Sequence, residues 1–260
     1  MGNPRLKLAL GAAALITVAC LSYGLLAPGS GSLAGAAVLN LALVAGIGYG
    51  YLRWNAPKKG ARLRDLEAAA KVMALAFDPK EILPREVPIG ALPLFDRGDP
   101  KVIGNSLRGT WPPEGGRDAH EVWAFDYIYR PRGAADTARV GRTVAAYHLP
   151  GGRLPRFSMR PEGPLLGRLT PGEEPGLRFE GDEAFSRRFR LRGPDKEAVR
   201  ALFHEGIRRY FASRDQAWCV EGEGEWLVLC PDGDVEARLR AGDLRPFLEE
   251  AAAIRRFFVG

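Results

Sequence analysis

EVWAFDYIYR, residues 121–130, decides the fold class of this chain. Trp123, Phe125, Tyr127 and Tyr129 alternate with Val122, Ala124, Asp126 and Ile128. Successive side chains of a β-strand point to opposite faces, so four aromatic rings share one face and mostly aliphatic groups share the other. Both faces therefore need cover, and the strand belongs inside a sheet. Aromatic rings in a row can stack nucleic-acid bases, but at strand spacing they are the ordinary content of a core.

Toward the C-terminus, Arg142 to Leu149 and Leu154 to Arg160 are predicted strands around Pro150-Gly151-Gly152, which with the first gives an antiparallel meander. Arg187 to Arg192 alternates Phe189 and Leu191 with Arg188, Arg190 and Arg192. That pattern predicts a strand with one apolar face and one row of guanidinium groups, the best anion- or partner-binding surface in the sequence. Glu180, Asp182 and Glu183 lie just upstream and offer partners across a neighbouring strand, which would make the row a solvated, salt-bridged face. Asp195 to Phe211, with Pro194 at its start, places Val199, Leu202, Phe203, Ile207, Tyr210 and Phe211 on one helical face. Ala217 to Val220 and Glu225 to Cys230 form a predicted hairpin through Glu221-Gly222-Glu223-Gly224. Asp243 caps a last predicted helix that buries Leu244, Phe247, Leu248, Ala251, Ile254 and Phe258.

Toward the N-terminus, seven prolines punctuate residues 78–116 and predict little regular structure. Leu92-Pro93-Leu94-Phe95 and Val102-Ile103 are too apolar for a free linker, so the Pro-rich segment, 79–118, is expected to wrap the domain. Arg62 to Phe77 has the apolar spacing of an amphipathic helix, in a juxtamembrane segment 55–78. Before it stand two uncharged apolar runs, about 8–27 and 33–52, joined by Pro28-Gly29-Ser30-Gly31-Ser32. Each has the length of about 20 residues that a helix needs to cross a bilayer.

Residues 1–54 are thus expected to form a transmembrane hairpin. Arg5 and Lys7 before the first run, and Arg53, Lys58 and Lys59 after the second, place both termini in the cytoplasm by the positive-inside rule, in a multi-pass protein of the inner membrane. Gly31/Gly35 and Gly46/Gly50 allow close helix approach, either within the hairpin or in a homodimer. A secretory signal ending at a lipid-modified Cys20 is the competing reading. The apolar run continues through Leu21 to Leu26 where such a signal would turn polar, which argues against it.

The net charge of +6 belongs to the membrane flanks, since residues 78–260 carry 29 basic and 29 acidic groups. A neutral domain argues against a nucleic-acid partner and leaves the bilayer and a protein partner. Of the cysteines at 20, 219 and 230, only Cys219 and Cys230 are placed to pair, and a cytoplasmic location favours free thiols. His120, His148 and His204 show no metal-ligand spacing. No phosphate-binding loop, nucleophile elbow or metalloprotease helix is present, so the sequence designates no catalytic, cofactor or metal residue, and Asp126 is expected to be a satisfied strand carboxylate.

Leu92-Pro93-Leu94-Phe95 with Gly98, Asn105-Ser106-Leu107-Arg108-Gly109, Phe125-Asp126-Tyr127, Leu154-Pro155-Arg156-Phe157 with Arg160-Pro161-Glu162, Phe185-Ser186-Arg187-Arg188-Phe189 with Leu191, Gly193 and Asp195, and Val199-Arg200-Ala201-Leu202-Phe203 occur in this order. In this series the chain resembles a family of uncharacterised bacterial membrane proteins with two N-terminal spans and a cytoplasmic domain. The resemblance implies a single domain behind the hairpin and brings no activity, cofactor or functional residue with it. The expectation is an α+β domain, residues 79–260, with an antiparallel sheet packed by two or three amphipathic helices. Its expected role is a noncatalytic binding or scaffold module for a protein partner or lipid headgroup. The alternative is a membrane-tethered enzyme with a pocket under the 78–116 segment.

Overall fold

The computed structural model describes residues 45–46, 60–113, 119–134, 138–162, 176–233 and 236–259. The chain divides into two compact units, residues 1–64 and 65–260. The expected spans, the membrane-flanking residues Arg5, Lys7, Arg53, Lys58 and Lys59, and Cys20 lie outside the described residues, apart from Ala45 and Gly46, which are helical. Among the described residues no helix is long and apolar enough to cross a membrane.

The second unit is α+β. Helix α1, residues 60–72, leads into a short strand β1 (Ala76–Asp78). Three 3₁₀ turns follow, Pro84–Glu86, Pro88–Ala91 and Pro93–Asp96. Each opens on a proline, whose fixed φ suits the first helical position and whose missing N–H would have had no partner there. Next come β2 (Lys101–Trp111), β3 (His120–Tyr129), β4 (Val140–His148) and β5 (Leu154–Pro161). Helix α2 (Glu183–Arg188) runs directly into β6 (Phe189–Arg192), followed by α3 (Lys196–Leu202) and α4 (Glu205–Ser213). The hairpin β7 (Trp218–Gly224) and β8 (Trp226–Pro231), the two-residue β9 (Glu236–Ala237) and α5 (Leu244–Arg255) complete the chain.

The strands form one sheet in the order β1-β2-β3-β4-β8-β7-β5-β6, antiparallel throughout, with β9 added parallel to β4. The expected meander is corrected here. β4 and β5 are consecutive but not paired, because the β7–β8 hairpin inserts between them: Ala145 pairs with Leu229 and Met159 with Val220. The link between β4 and β5 is pinned to that hairpin by Gly151, whose N–H donates to the Glu225 carboxylate at 2.6 Å.

Strand alternation builds two cores. Val122 and Ala124 of β3, Ala145 and Tyr147 of β4 and Leu227 and Leu229 of β8 pack with all five helices. Trp123, Phe125, Tyr127 and Tyr129, with Val144, Ala146 and Val228, pack against Ile89, Leu92, Leu94 and Phe95 of the Pro-rich segment. Phe95 is fully buried and meets Tyr127 edge-on at 5.0 Å. Burying such a ring contributes about 1.5–3 kcal/mol, and the aromatic pairing adds about 0.5–1.5 kcal/mol. The wrap is also tied by polar contacts. Leu94 N–H donates to Glu221 (2.7 Å), Lys101 Nζ to the Phe95 carbonyl (2.6 Å), Tyr127 O–H to the Arg97 carbonyl (3.0 Å) and Arg156 to the Ala91 carbonyl (3.0 Å). Gly98 closes it at φ +71°, where a Cβ would lie 2.1 Å from the Arg130 carbonyl oxygen.

Four further expectations are corrected. The helix expected over 62–77 ends at residue 72 and gives way to β1, and the Pro-rich stretch contains the eleven-residue strand β2. The helix expected over 195–211 is two helices, interrupted at Phe203-His204, where the His204 ring nitrogen accepts the Gly206 N–H at 3.2 Å. Asp243 precedes α5 but its side chain makes no capping hydrogen bond.

Candidate functional site

A groove of about 550 Å³ opens where three connections converge: the turn from α4 into β7, the end of β8, and the start of α5. Its floor is Trp218, whose ring stacks parallel to Phe247 of α5 at 5.8 Å. Trp218 is 3% exposed because it faces the helix-side core at the first position of β7. Among the described residues its indole N–H has no hydrogen-bond partner. Pro231 stands opposite Trp218 in the β7–β8 register, and Leu239 and Pro246 complete the apolar lining.

The rim is polar and mostly acidic. Glu250 accepts the Tyr210 hydroxyl at 2.6 Å and lies 3.8 Å from the Arg214 guanidinium, which itself sits over the Tyr210 ring at 4.6 Å. Burial and then the Glu250 carboxylate push the Tyr210 phenol up to about 12. Gln216 closes one side by donating to the Asp232 carbonyl at 2.8 Å. Asp215 and Asp243 are exposed, and among the described residues neither carboxylate has a partner. Three carboxylates thus face one guanidinium, so the rim attracts positive charge above an apolar floor.

The arginine row is not displayed as the alternation predicts. Arg188 is the last residue of α2, and it donates to the Ala212 and Asp215 carbonyls at 3.1 and 2.8 Å. It therefore holds up the loop that forms the groove rim. Arg190 grips Glu162 with two hydrogen bonds, 3.1 and 2.8 Å, and is 16% exposed. Arg192 follows it on β6, half-buried and also engaged. Of the upstream acids, Asp182 acts elsewhere: it caps α2 through the Phe185 N–H and pairs with Arg208 at 2.9 Å.

Asp126, 3% exposed, accepts Thr143 Oγ1 at 3.0 Å and Asn105 Nδ2 at 2.8 Å. Asn105 sits in the β2 bulge at φ +52°, a backbone conformation that Asn tolerates better than most residues. Thr143 Oγ1 in turn accepts the Leu239 N–H at 2.9 Å, so one polar thread crosses β2, β3 and β4 to the groove wall. Glu221, 1% exposed, is held by Leu94 N–H, Ser158 Oγ at 3.0 Å and Arg160 at 2.8 Å. Among the described residues no cluster of three or more His, Cys, Asp or Glu is arranged to hold a metal ion. Nothing in the sequence marks Asp215, Gln216, Trp218, Asp243 or Phe247 as one site. Each lies near the end of an element, and only the sheet order brings them together.

No protein-family model matches the chain. No curated protein matches it. Among solved structures there is a likeness to the crystal structure of the mycobacterial trehalose monomycolate transport factor A, TtfA. It has a TM-score of 0.47 and 14% identity, over 75% of this chain and 95% of that one, and a likeness this distant assigns no activity.

Proposed function

We propose that this protein is a membrane-anchored, noncatalytic binding module. In this reading an N-terminal hairpin (spans 8–27 and 33–52) holds it in the bacterial inner membrane, and an α+β domain on the cytoplasmic side captures a protein partner. The two uncharged apolar runs with Arg5, Lys7, Arg53, Lys58 and Lys59 at their outer ends support the anchoring and the orientation.

One observation carries the choice of a module over an enzyme. Beneath residues 89–95 of the Pro-rich segment, where a catalytic pocket would have lain, the space is filled by Phe95, Phe125 and Tyr127, each fully buried. The polar groups nearest it, Glu221 and Lys101, are spent on holding the wrap. The groove at Trp218 is the candidate recognition surface. Its apolar floor and acidic rim suit a partner segment presenting a Lys or Arg beside an apolar side chain. A lipid headgroup is the weaker ligand, because Arg188 and Arg190 already have carbonyl and carboxylate acceptors within the domain.

Two measurements test this. Single cysteines introduced at Ser30 and Glu249, in a chain without its native cysteines, are exposed to a membrane-impermeant thiol reagent in intact cells. The reading requires labelling at 30 in intact cells and at 249 only after permeabilisation; labelling at 249 in intact cells overturns the orientation. Photo-crosslinking from position 216 in native membranes should give a discrete adduct that is absent from position 197 on α3. That adduct should disappear when Asp215→Lys and Asp243→Lys reverse the rim. An adduct indifferent to the reversal rejects the groove.

A further inference from the structure

Cys219 of β7 and Cys230 of β8 stand directly opposite one another in the antiparallel register. Both are free thiols, 4% and 1% exposed, on the sheet face covered by the Pro-rich wrap. Each strand places its cysteine one residue from the end of the hairpin, Cys219 after Trp218 and Cys230 before Pro231. Directly opposed residues of an antiparallel pair bring their Cβ atoms to about 4.5–5.5 Å. A disulfide needs about 3.5–4.5 Å, so a small local closure suffices and no segment has to be rearranged.

Two guanidinium groups flank the pair. Arg142 is fixed by the three residues after Cys230, donating to the Pro231 and Gly233 carbonyls and to the Asp232 carboxylate at 3.4 Å each. Arg97 comes from the wrap, where its carbonyl accepts the Tyr127 hydroxyl at 3.0 Å. Both cations act on both sulfurs. A metal ion between two guanidinium groups would be repelled, whereas a thiolate there is stabilised. The neighbouring Cys230 thiol, together with Arg97 and Arg142, holds the Cys219 thiol below its ordinary range; the Cys219 thiol and burial push Cys230 up.

We propose that Cys219 and Cys230 are a peroxide-responsive dithiol that closes to a cross-strand disulfide. The Cys219 thiolate attacks one oxygen of hydrogen peroxide, the O–O bond breaks, and the departing hydroxide takes up the proton that Cys219 released, leaving water and a Cys219 sulfenic acid. The Cys230 sulfur then attacks the Cys219 sulfur, the S–O bond breaks, and the oxygen leaves as a second water with the Cys230 proton. Two thiols are oxidised by two electrons and one peroxide is reduced to two waters; a dithiol reductant reverses the change. The strands are already in register, so the bond locks the hairpin in place. What changes is the capacity for charge: once linked, Cys219 can no longer ionise in the field of Arg97, at the end of the wrap. The inference is independent of the groove.

The test uses the full chain in detergent micelles with Cys20→Ser, treated with hydrogen peroxide, trapped with an alkylating reagent and mapped by mass spectrometry. The expected result is a linked 219–230 peptide lighter by two hydrogens, with neither thiol alkylated, that reverts under dithiothreitol. With Cys230→Ser the same treatment should stop at a Cys219 sulfenic acid captured by dimedone. Amide exchange at Leu92 and Phe95 should quicken in the oxidised chain. Linkage between two chains, oxidation of either cysteine to sulfinic acid without linkage, or thiols that stay alkylatable after peroxide would each overturn the proposal.

Discussion

The Glu221 carboxylate accepts the Leu94 backbone N–H at 2.7 Å, joining the Pro-rich wrap to the middle of the sheet across 127 residues of chain. Glu221 also accepts from Ser158 and from Arg160, and its side chain is 2% exposed while that of Arg160 is 31% exposed. Glu221→Ala therefore strands a buried N–H and a hydroxyl and leaves Arg160 to turn toward water. The expected loss is about 3 kcal/mol, the lower end of the range for breaking a buried pair. Glu221→Gln keeps acceptors for Leu94 and Ser158 and should lose about half as much. Urea midpoints at unchanged slope check both; a Glu221→Ala chain within 1 kcal/mol of the parent would show that the wrap holds by packing alone.

Asp126 has the same kind of structural employment. Asp126→Ala removes the acceptor of both Thr143 and Asn105 and should cost about 2–3 kcal/mol. A double-mutant cycle with Thr143→Val should return a coupling of about 1 kcal/mol. Additive losses would mean that the two side chains are held independently.

The Arg190–Glu162 fork predicts a stability effect without a membrane effect. Both side chains are less than a fifth exposed, so Arg190→Glu should destabilise by about 2 kcal/mol, and adding Glu162→Arg should restore part of it. Sedimentation with anionic vesicles should not distinguish Arg190→Glu from the parent chain. A loss of vesicle binding in a variant that remains folded would restore the lipid surface.

Tyr210 predicts an alkaline limb. Its folded value of about 12 lies above the ordinary phenol value of about 10, so its contribution is complete below pH 10 and is lost as the pH rises through 12. Burial raises Tyr127 and Tyr147 in the same direction and steepens the loss. Tyr210→Phe should fall less in stability between pH 10 and 12 than the parent does, as measured by thermal midpoints across that interval.

What the sequence disclosed followed the range of the interaction. The alternation of residues 121–130 identified β3 and its two faces because period-2 burial is written locally. The apolar spacing after Asp243 likewise found Leu244, Phe247, Leu248, Ala251 and Ile254 of α5, but not Ala252 or Arg255, which are also buried. β2 was hidden because Gly104, Asn105 and Gly109 lower its strand signal, and its bulge breaks the alternation between Gly104 and Leu107. The break at His204 was hidden because apolar spacing continues across it from Val199 to Phe211. Arg190 looked like part of a display because its partner, Glu162, is 28 residues away in sequence. The groove left no trace, since its floor and rim come from three connections whose meeting depends on strand order.

That strand order also sets a timetable for synthesis. Strands β1 to β4 leave the ribosome with β4 as an open edge, and β5 and β6 cannot join them until residues 218–231 supply the intervening hairpin. For as long as roughly 80 residues take to be translated, at about 5–20 residues per second, the nascent chain carries an unpaired edge next to the apolar rows of β4. The last tenth of the polypeptide then adds α5 over Tyr147 and completes the helix-side core. Truncations that stop between residues 149 and 217 should therefore be chaperone-dependent and degraded.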